Sequence, residues 1–138
     1  MKALRTLPAL LALLLLLGSC QESKNQRFER EAREYTQRNC PQPITSDGMV
    51  VLDSMVFHDD GSNDLIHYYT FNADTAVLER IRQGGPEVEM LRQQMLQKVK
   101  SSIDMRHIKD AGLNIIYDYR TPTGAPLTRF TFTKADYE

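Results

Sequence analysis

Leu113-Asn114-Ile115-Ile116-Tyr117-Asp118-Tyr119-Arg120 is the stretch that decides the fold. Leu113, Ile115, Tyr117 and Tyr119 alternate with Asn114, Ile116, Asp118 and Arg120, a period of two carried by β-branched and aromatic residues, so the segment is a strand. Thr121 to Pro126 (Thr-Pro-Thr-Gly-Ala-Pro) is a turn. Leu127 to Thr133 then returns with Phe130 and Phe132 on one side and Arg129 and Thr131 on the other, which makes a hairpin. On the N-terminal side of the strand, Val88, Leu91, Met95, Val99, Ser102 and Met105 recur every three or four residues after Pro86. That spacing predicts a helix with proline in its first turn, able to run on through Ile108 and stopped by Gly112. A shorter helix with Val77, Leu78 and Ile81 precedes it, capped by Asp74 or Thr75 and interrupted by Gly84-Gly85.

Further out lies a second hairpin. Met49 to Phe57 and Leu65 to Asn72 are rich in Val, Ile, Tyr and Phe, and they flank a concentrated turn segment, His58 to Asp64. Before it, Phe28, Ala32 and Tyr35 fall at steps of four and three between charged residues, a narrow helical stripe over Arg27 to Arg38. Asn39-Cys40-Pro41-Gln42-Pro43 stops that helix, because each proline lacks an N–H and disfavours helical geometry in the residue before it. A two-stranded unit is marginal alone in water, so the two hairpins are expected to share one sheet. The resulting expectation is an α+β, two-layer fold: a four-stranded antiparallel sheet of two hairpins with the helices packed on one face, in a strand order the sequence leaves open.

The chain has 138 residues, 17 basic against 18 acidic, for a formal charge of -1. No local basic patch interrupts that balance, so a general nucleic-acid role is disfavoured. Residues 1–19 read as a secretory leader: Lys2 and Arg5, an apolar run from Leu7 to Leu17, then Gly18 and Ser19. The run is too short for a membrane-spanning helix, which needs about 20 residues. Leu17-Gly18-Ser19-Cys20 resembles the lipobox of bacterial lipoproteins. The resemblance implies that Cys20 becomes the first mature residue, carries lipid, and holds the protein on a membrane. Gln21 follows where an Asp would favour the inner membrane of enteric bacteria, which favours the outer membrane. Residues 20–26 are then the lipidated N-terminus and a polar tether, and 27–138 a single α+β domain. Loss of Lys2 and Arg5 takes the charge to -3, and Cys40 becomes the one remaining thiol, so no intrachain disulfide is available.

No catalytic motif stands out. His58, Asp59, Asp60, Asn63 and Asp64 crowd oxygen donors together, but the segment is too short for a 12-residue calcium loop and fits a hairpin tip. His58, His67 and His107 lack the spacing of a zinc site, no cofactor loop is present, and Cys40 has no local histidine partner. His67 fits a half-buried strand position. Tyr68, Tyr117 and Tyr119 are the candidate partner-binding residues, because two layers cover one sheet face with helices and leave strand aromatics on the other.

Leu52-Asp53-Ser54, Tyr68-Tyr69-Thr70, Gly112, Tyr117-Asp118-Tyr119-Arg120 and Gly124 together resemble a family of small uncharacterised bacterial exported proteins, over about residues 40 to 135. These motifs are structural and imply no activity. The functional expectation is a lipid-anchored, non-enzymatic envelope module that binds another envelope protein or a glycan. The alternatives are a small envelope hydrolase using carboxylates such as Asp53 and Asp118, or an inhibitor or immunity module against a secreted enzyme.

Overall fold

The structure, a computed structural model, describes residues 21–138. The leader and Cys20 lie outside the described residues. The first helix, α1 (Lys24–Asn39), begins three residues before the sequence pattern shows it, inside the stretch read as tether. A capping box explains the early start: Ser23 Oγ accepts from the Gln26 amide at 3.1 Å and Gln26 Oε1 accepts from the Ser23 amide at 3.0 Å, so two otherwise orphaned donors are satisfied. Phe28 and Ala32 form its buried stripe, and i,i+4 pairs such as Arg27–Glu31 and Arg30–Glu34 occupy the solvent side.

The strands are β1 (Gln42–Pro43), β2 (Val50–Phe57), β3 (Asp64–Phe71), β4 (Asn114–Arg120) and β5 (Pro126–Phe132). They form one five-stranded sheet in chain order, β1-β2-β3-β4-β5. The expected four-stranded antiparallel sheet of two hairpins is therefore corrected in two ways. The two-residue β1 pairs with Leu52 and Val51 at the sheet edge, where a proline does no harm to the ladder. More importantly, β3 and β4 run parallel, with Asp64 opposite Asn114 and Thr70 opposite Arg120, so the sheet is mixed.

The parallel pair follows from what lies between those strands. Helices α2 (Thr75–Gln83), α3 (Pro86–Ser101) and α4 (Arg106–Asp110) form the connection. A 16-residue helix is about 24 Å long, close to the ~26 Å of an eight-residue strand, so α3 carries the chain back to the end where β3 began. Asp74 caps α2, accepting from the Val77 amide at 2.9 Å, and Pro86 opens α3. The long helix does not continue through Ile108. It ends at Ser101, where Lys109 Nζ donates to the carbonyls of Val99 and Lys100 at 2.8 Å each, and the turn that follows buries Ile108 through α4. A last short helix, α5 (Lys134–Tyr137), brings the Tyr137 hydroxyl 2.8 Å from the Leu113 carbonyl.

Register fixes the two faces. Phe57, Leu65, Ile115 and Phe132 form one cross-strand rung; Met55, His67, Tyr117 and Phe130 form the next; Leu52, Tyr69 and Tyr119 lie in the third. These residues join Phe28 and Ala32 of α1, Val99 of α3, Ile108 of α4 and Tyr137 of α5 in the core, where Phe132, Leu113, Ile115 and Val99 are fully buried. The opposite face carries Val56, Ile66, Ile116 and Thr131 in one rung and Ser54, Tyr68, Asp118 and Arg129 in the next.

A candidate binding cleft between the first and fourth helices

Helices α1 and α4 stand side by side on the core face without closing on each other. Phe28 and Ala32 of α1 form one wall, His107 and Ile108 of α4 the other, and Met55 and Leu65 the floor of a cleft of about 210 Å³. The spacing is held by rings: Phe28 lies 5.7 Å from Phe57 and 6.0 Å from the near-parallel His107 imidazole. At the mouth, Glu31 sits 3.7 Å from His107 Nε2, and Tyr35 is 37% exposed with its hydroxyl donating to Gln42 Oε1 at 3.0 Å. The volume decides what fits. Sites for drug-sized ligands are roughly 300–1,000 Å³, so this apolar slot suits one or two side chains of a larger partner.

Beneath the neighbouring part of the core face lies an aromatic layer. His67 stacks on Tyr117 at 5.0 Å, and Tyr69 stacks on Tyr119 at 5.0 Å. Burial pushes the His67 imidazole down to about 4, against the smaller opposing effect of the Ile116 carbonyl 3.3 Å from Nδ1, so the ring is neutral at physiological pH. Burial likewise raises the Tyr117 and Tyr119 phenols to about 12 and Tyr69 further still. His67 is thus a core histidine, more deeply buried than its strand position led us to expect.

The three tyrosines singled out in the sequence are not brought together. Tyr117 and Tyr119 are each 6% exposed on the helix-covered face, because their register places them opposite Phe130 and Tyr69 in the core. Tyr68 lies on the other face, under the Arg120 guanidinium at 4.7 Å. There Asp118 is held by Arg120 at 3.0 Å and Arg129 at 3.3 Å, while Asp53 accepts from the Thr70 hydroxyl at 2.8 Å, so each carboxylate is engaged with its own strand neighbours.

The oxygen-rich turn serves the backbone. Asp60 is held below the usual carboxylate range by the Ser62 side chain and by the Ser62 amide, from which it accepts at 2.9 Å, Asp64 accepts from Asn114 Nδ2 at 2.8 Å, and Asp59 accepts from Asn25 of α1 at 2.8 Å. Among the described residues no set of His, Cys, Asp or Glu side chains is grouped to hold a metal ion. The Cys40 thiol is half-buried, and burial together with Asp53 pushes its pKa up, the reverse of what a reactive thiolate needs. No helix among the described residues is long and apolar enough to cross a membrane.

A family model described as a domain of unknown function, DUF8479, matches residues 23–125. The chain belongs to the DUF8479 family. No curated protein matches it. Among solved structures, the DUF8479 fold is similar to a protein of Pseudomonas aeruginosa assigned as secreted, with a TM-score of 0.66 at 19% identity over 83% of this chain and 92% of that one. It is also similar to two pilotins of type II secretion systems. EpsS of Vibrio vulnificus gives a TM-score of 0.56 at 16% identity over 83% and 96% of the two chains, and AspS of Vibrio cholerae 0.56 at 13% over 81% and 90%. At such identities the likeness is one of fold.

Sequence reasoning found the α1 stripe but missed the cleft. Phe28, Ala32 and Tyr35 are legible as an apolar face, whereas the apolar spacing of α3 makes His107 and Ile108 look like the tail of one longer helix. The signal for their turn is Ser101-Ser102, two poor helix formers just before an isolated, exposed Ile103.

Proposed function

We propose that this protein is a non-enzymatic, lipid-anchored envelope module that holds a segment of another envelope protein in the cleft between α1 and α4. The observation that carries the proposal is the fold shared with two type II secretion pilotins over more than four-fifths of the chain. The cleft supplies the means: an apolar slot with an exposed tyrosine and a glutamate–histidine pair at its rim takes apolar anchors from a partner and sets their direction with polar contacts. Its apolar lining fits a polypeptide side chain better than a glycan. Lipid on Cys20 keeps the module at the outer membrane, and the partner class that fits is a protein component of a secretion assembly.

The test is crosslinking in living cells with a photoreactive phenylalanine in place of Tyr35, and in a second strain in place of Thr131 on the opposite sheet face. The expected result is a discrete adduct with one envelope protein from the Tyr35 position only, and a fall in that partner's membrane abundance when the module is deleted. Equal labelling from both positions, or no adduct at Tyr35, overturns the proposal.

A further inference from the structure

The start of α1 lies unusually near the residue read as the anchor. Ser23 is fixed by the capping box, and Glu22 is fixed one step earlier by two contacts to Arg30, at 2.9 and 3.0 Å. Gln21 alone separates Glu22 from Cys20, so the anchoring residue is at most about 7 Å from the folded body. A tether that short does not let the domain float. Whichever end of the fold holds Glu22 must lie against the surface that holds the lipid.

That end is well defined. Lys24 Nζ donates to the Ala111 carbonyl at 3.0 Å, which places the turn between α4 and β4 beside the start of α1, and Asn25 reaches Asp59 in the β2–β3 turn. The end of α3 and the turn into α4 meet the same end. Ile103 projects from that turn, 74% exposed and more so than any other large apolar residue described. A polar hollow of about 550 Å³ adjoins it, lined by the bases Lys100, Arg106 and Lys109, the acids Asp110 and Glu138, and Tyr137. From Lys98 to Asp110 there are four bases, Lys98, Lys100, Arg106 and Lys109, against two acids, Asp104 and Asp110, in a chain whose net charge is negative.

An exposed aliphatic side chain with cations on either side is the arrangement that partitions into an anionic headgroup layer. We infer that the end of the fold bearing Ile103 rests on an anionic phospholipid bilayer, with Ile103 in the headgroup layer and Lys100 and Arg106 on lipid phosphates. This inference rests on the reading of Cys20 as lipidated and extends it: the anchor fixes the domain's orientation as well as its location, so the cleft is held at a constant height above the membrane.

The chain contains no tryptophan, so one substitution makes an optical probe. The experiment uses the full lipoprotein, produced and processed in bacteria, with Ile103→Trp in one preparation and Met49→Trp in another. Met49 precedes β2, at the opposite end of the sheet, and is 39% exposed. Each is reconstituted into phosphatidylethanolamine–phosphatidylglycerol vesicles with and without brominated acyl chains, and vesicle flotation and intact mass are recorded in parallel. The expected result is that both variants float and carry acyl chains, while bromine quenches the Ile103→Trp indole about twofold or more beyond that of Met49→Trp. Equal quenching of two acylated, floating variants overturns the orientation and leaves the anchor standing. An unmodified Cys20 overturns both.

Discussion

The hydroxyl of Thr36 bridges both backbone groups of Met55, accepting from its amide at 2.8 Å and donating to its carbonyl at 3.0 Å. Through this one side chain α1 closes the outer edge of β2 beyond the two residues that β1 reaches. An open edge is a template for pairing with other chains, so the contact both stabilises the fold and blocks association. Replacing Thr36 with Val keeps the shape and leaves two half-buried backbone groups without this partner. A loss of about 1–3 kcal/mol is expected in urea unfolding, with concentration-dependent association in light scattering, while Thr36→Ser retains most of the stability. A Thr36→Val protein as stable and monodisperse as the parent would refute this account.

His67 makes stability fall in acid. Its pKa drops from 6.5 in the unfolded chain to about 4 in the folded one. Above pH 6.5 neither state is protonated and the full stability is present. As pH falls, the unfolded chain takes up a proton that the buried ring refuses, so stability is lost between about 6.5 and 4, by up to about 3 kcal/mol. Carboxylates contribute over part of the same range, which makes His67→Gln the informative control. Urea midpoints measured at pH 7.5 and 4.5 should differ more for the parent than for this variant, and parallel profiles would remove His67 as the cause.

Much of this was written into the sequence and some was not, for identifiable reasons. Strands β2 to β5 announce themselves through alternation and turn residues, and alternation alone puts Leu113, Ile115, Tyr117 and Tyr119 on one shared side. The partner of each strand is not local information. Parallel pairing of β3 with β4 depends on α3 returning the chain by one strand length, a sum over the whole crossover that no residue pattern displays. The tyrosines show the same limit. The pattern groups Tyr68, Tyr117 and Tyr119 as aromatics of an uncovered face, whereas the β3–β4 register sets Tyr117 and Tyr119 on the side opposite Tyr68, and which side the helices cover is decided by Phe28, Ala32, Val99 and Ile108, far away in sequence. The cleft needed both α1 and the turn at Ser102, so only one of its walls was readable.

Tyr137 pins the end of the chain to the end of the crossover, its hydroxyl donating to the carbonyl of the fully buried Leu113. Tyr137→Phe deletes only that donor and leaves a buried acceptor short of a partner. A loss of about 1–2 kcal/mol is expected, read as a lower urea midpoint with an unchanged slope, together with faster amide exchange at residues 134–138. If exchange there stays as slow as in the parent, α5 is held by its packing and the hydrogen bond contributes little.

The proposed lipid on Cys20 would be separated from Glu22, which Arg30 holds, by Gln21 alone, so anchor and fold would share one position. One acyl chain gives marginal membrane binding, whereas two or more acting together are effectively stable, each buried methylene contributing about 0.8 kcal/mol. Cys20→Ser removes the sulfur that would carry them. The variant should either leave the membrane fraction as a mature, soluble protein or remain there as a precursor whose mass still includes residues 1–19, and intact-mass analysis separates these outcomes. Its folded body should be unaffected, since Ser23 and Glu22 keep their contacts to Gln26 and Arg30. A Cys20→Ser protein of mature mass that still sediments with membranes as the parent does would show that something other than acyl chains holds the molecule there.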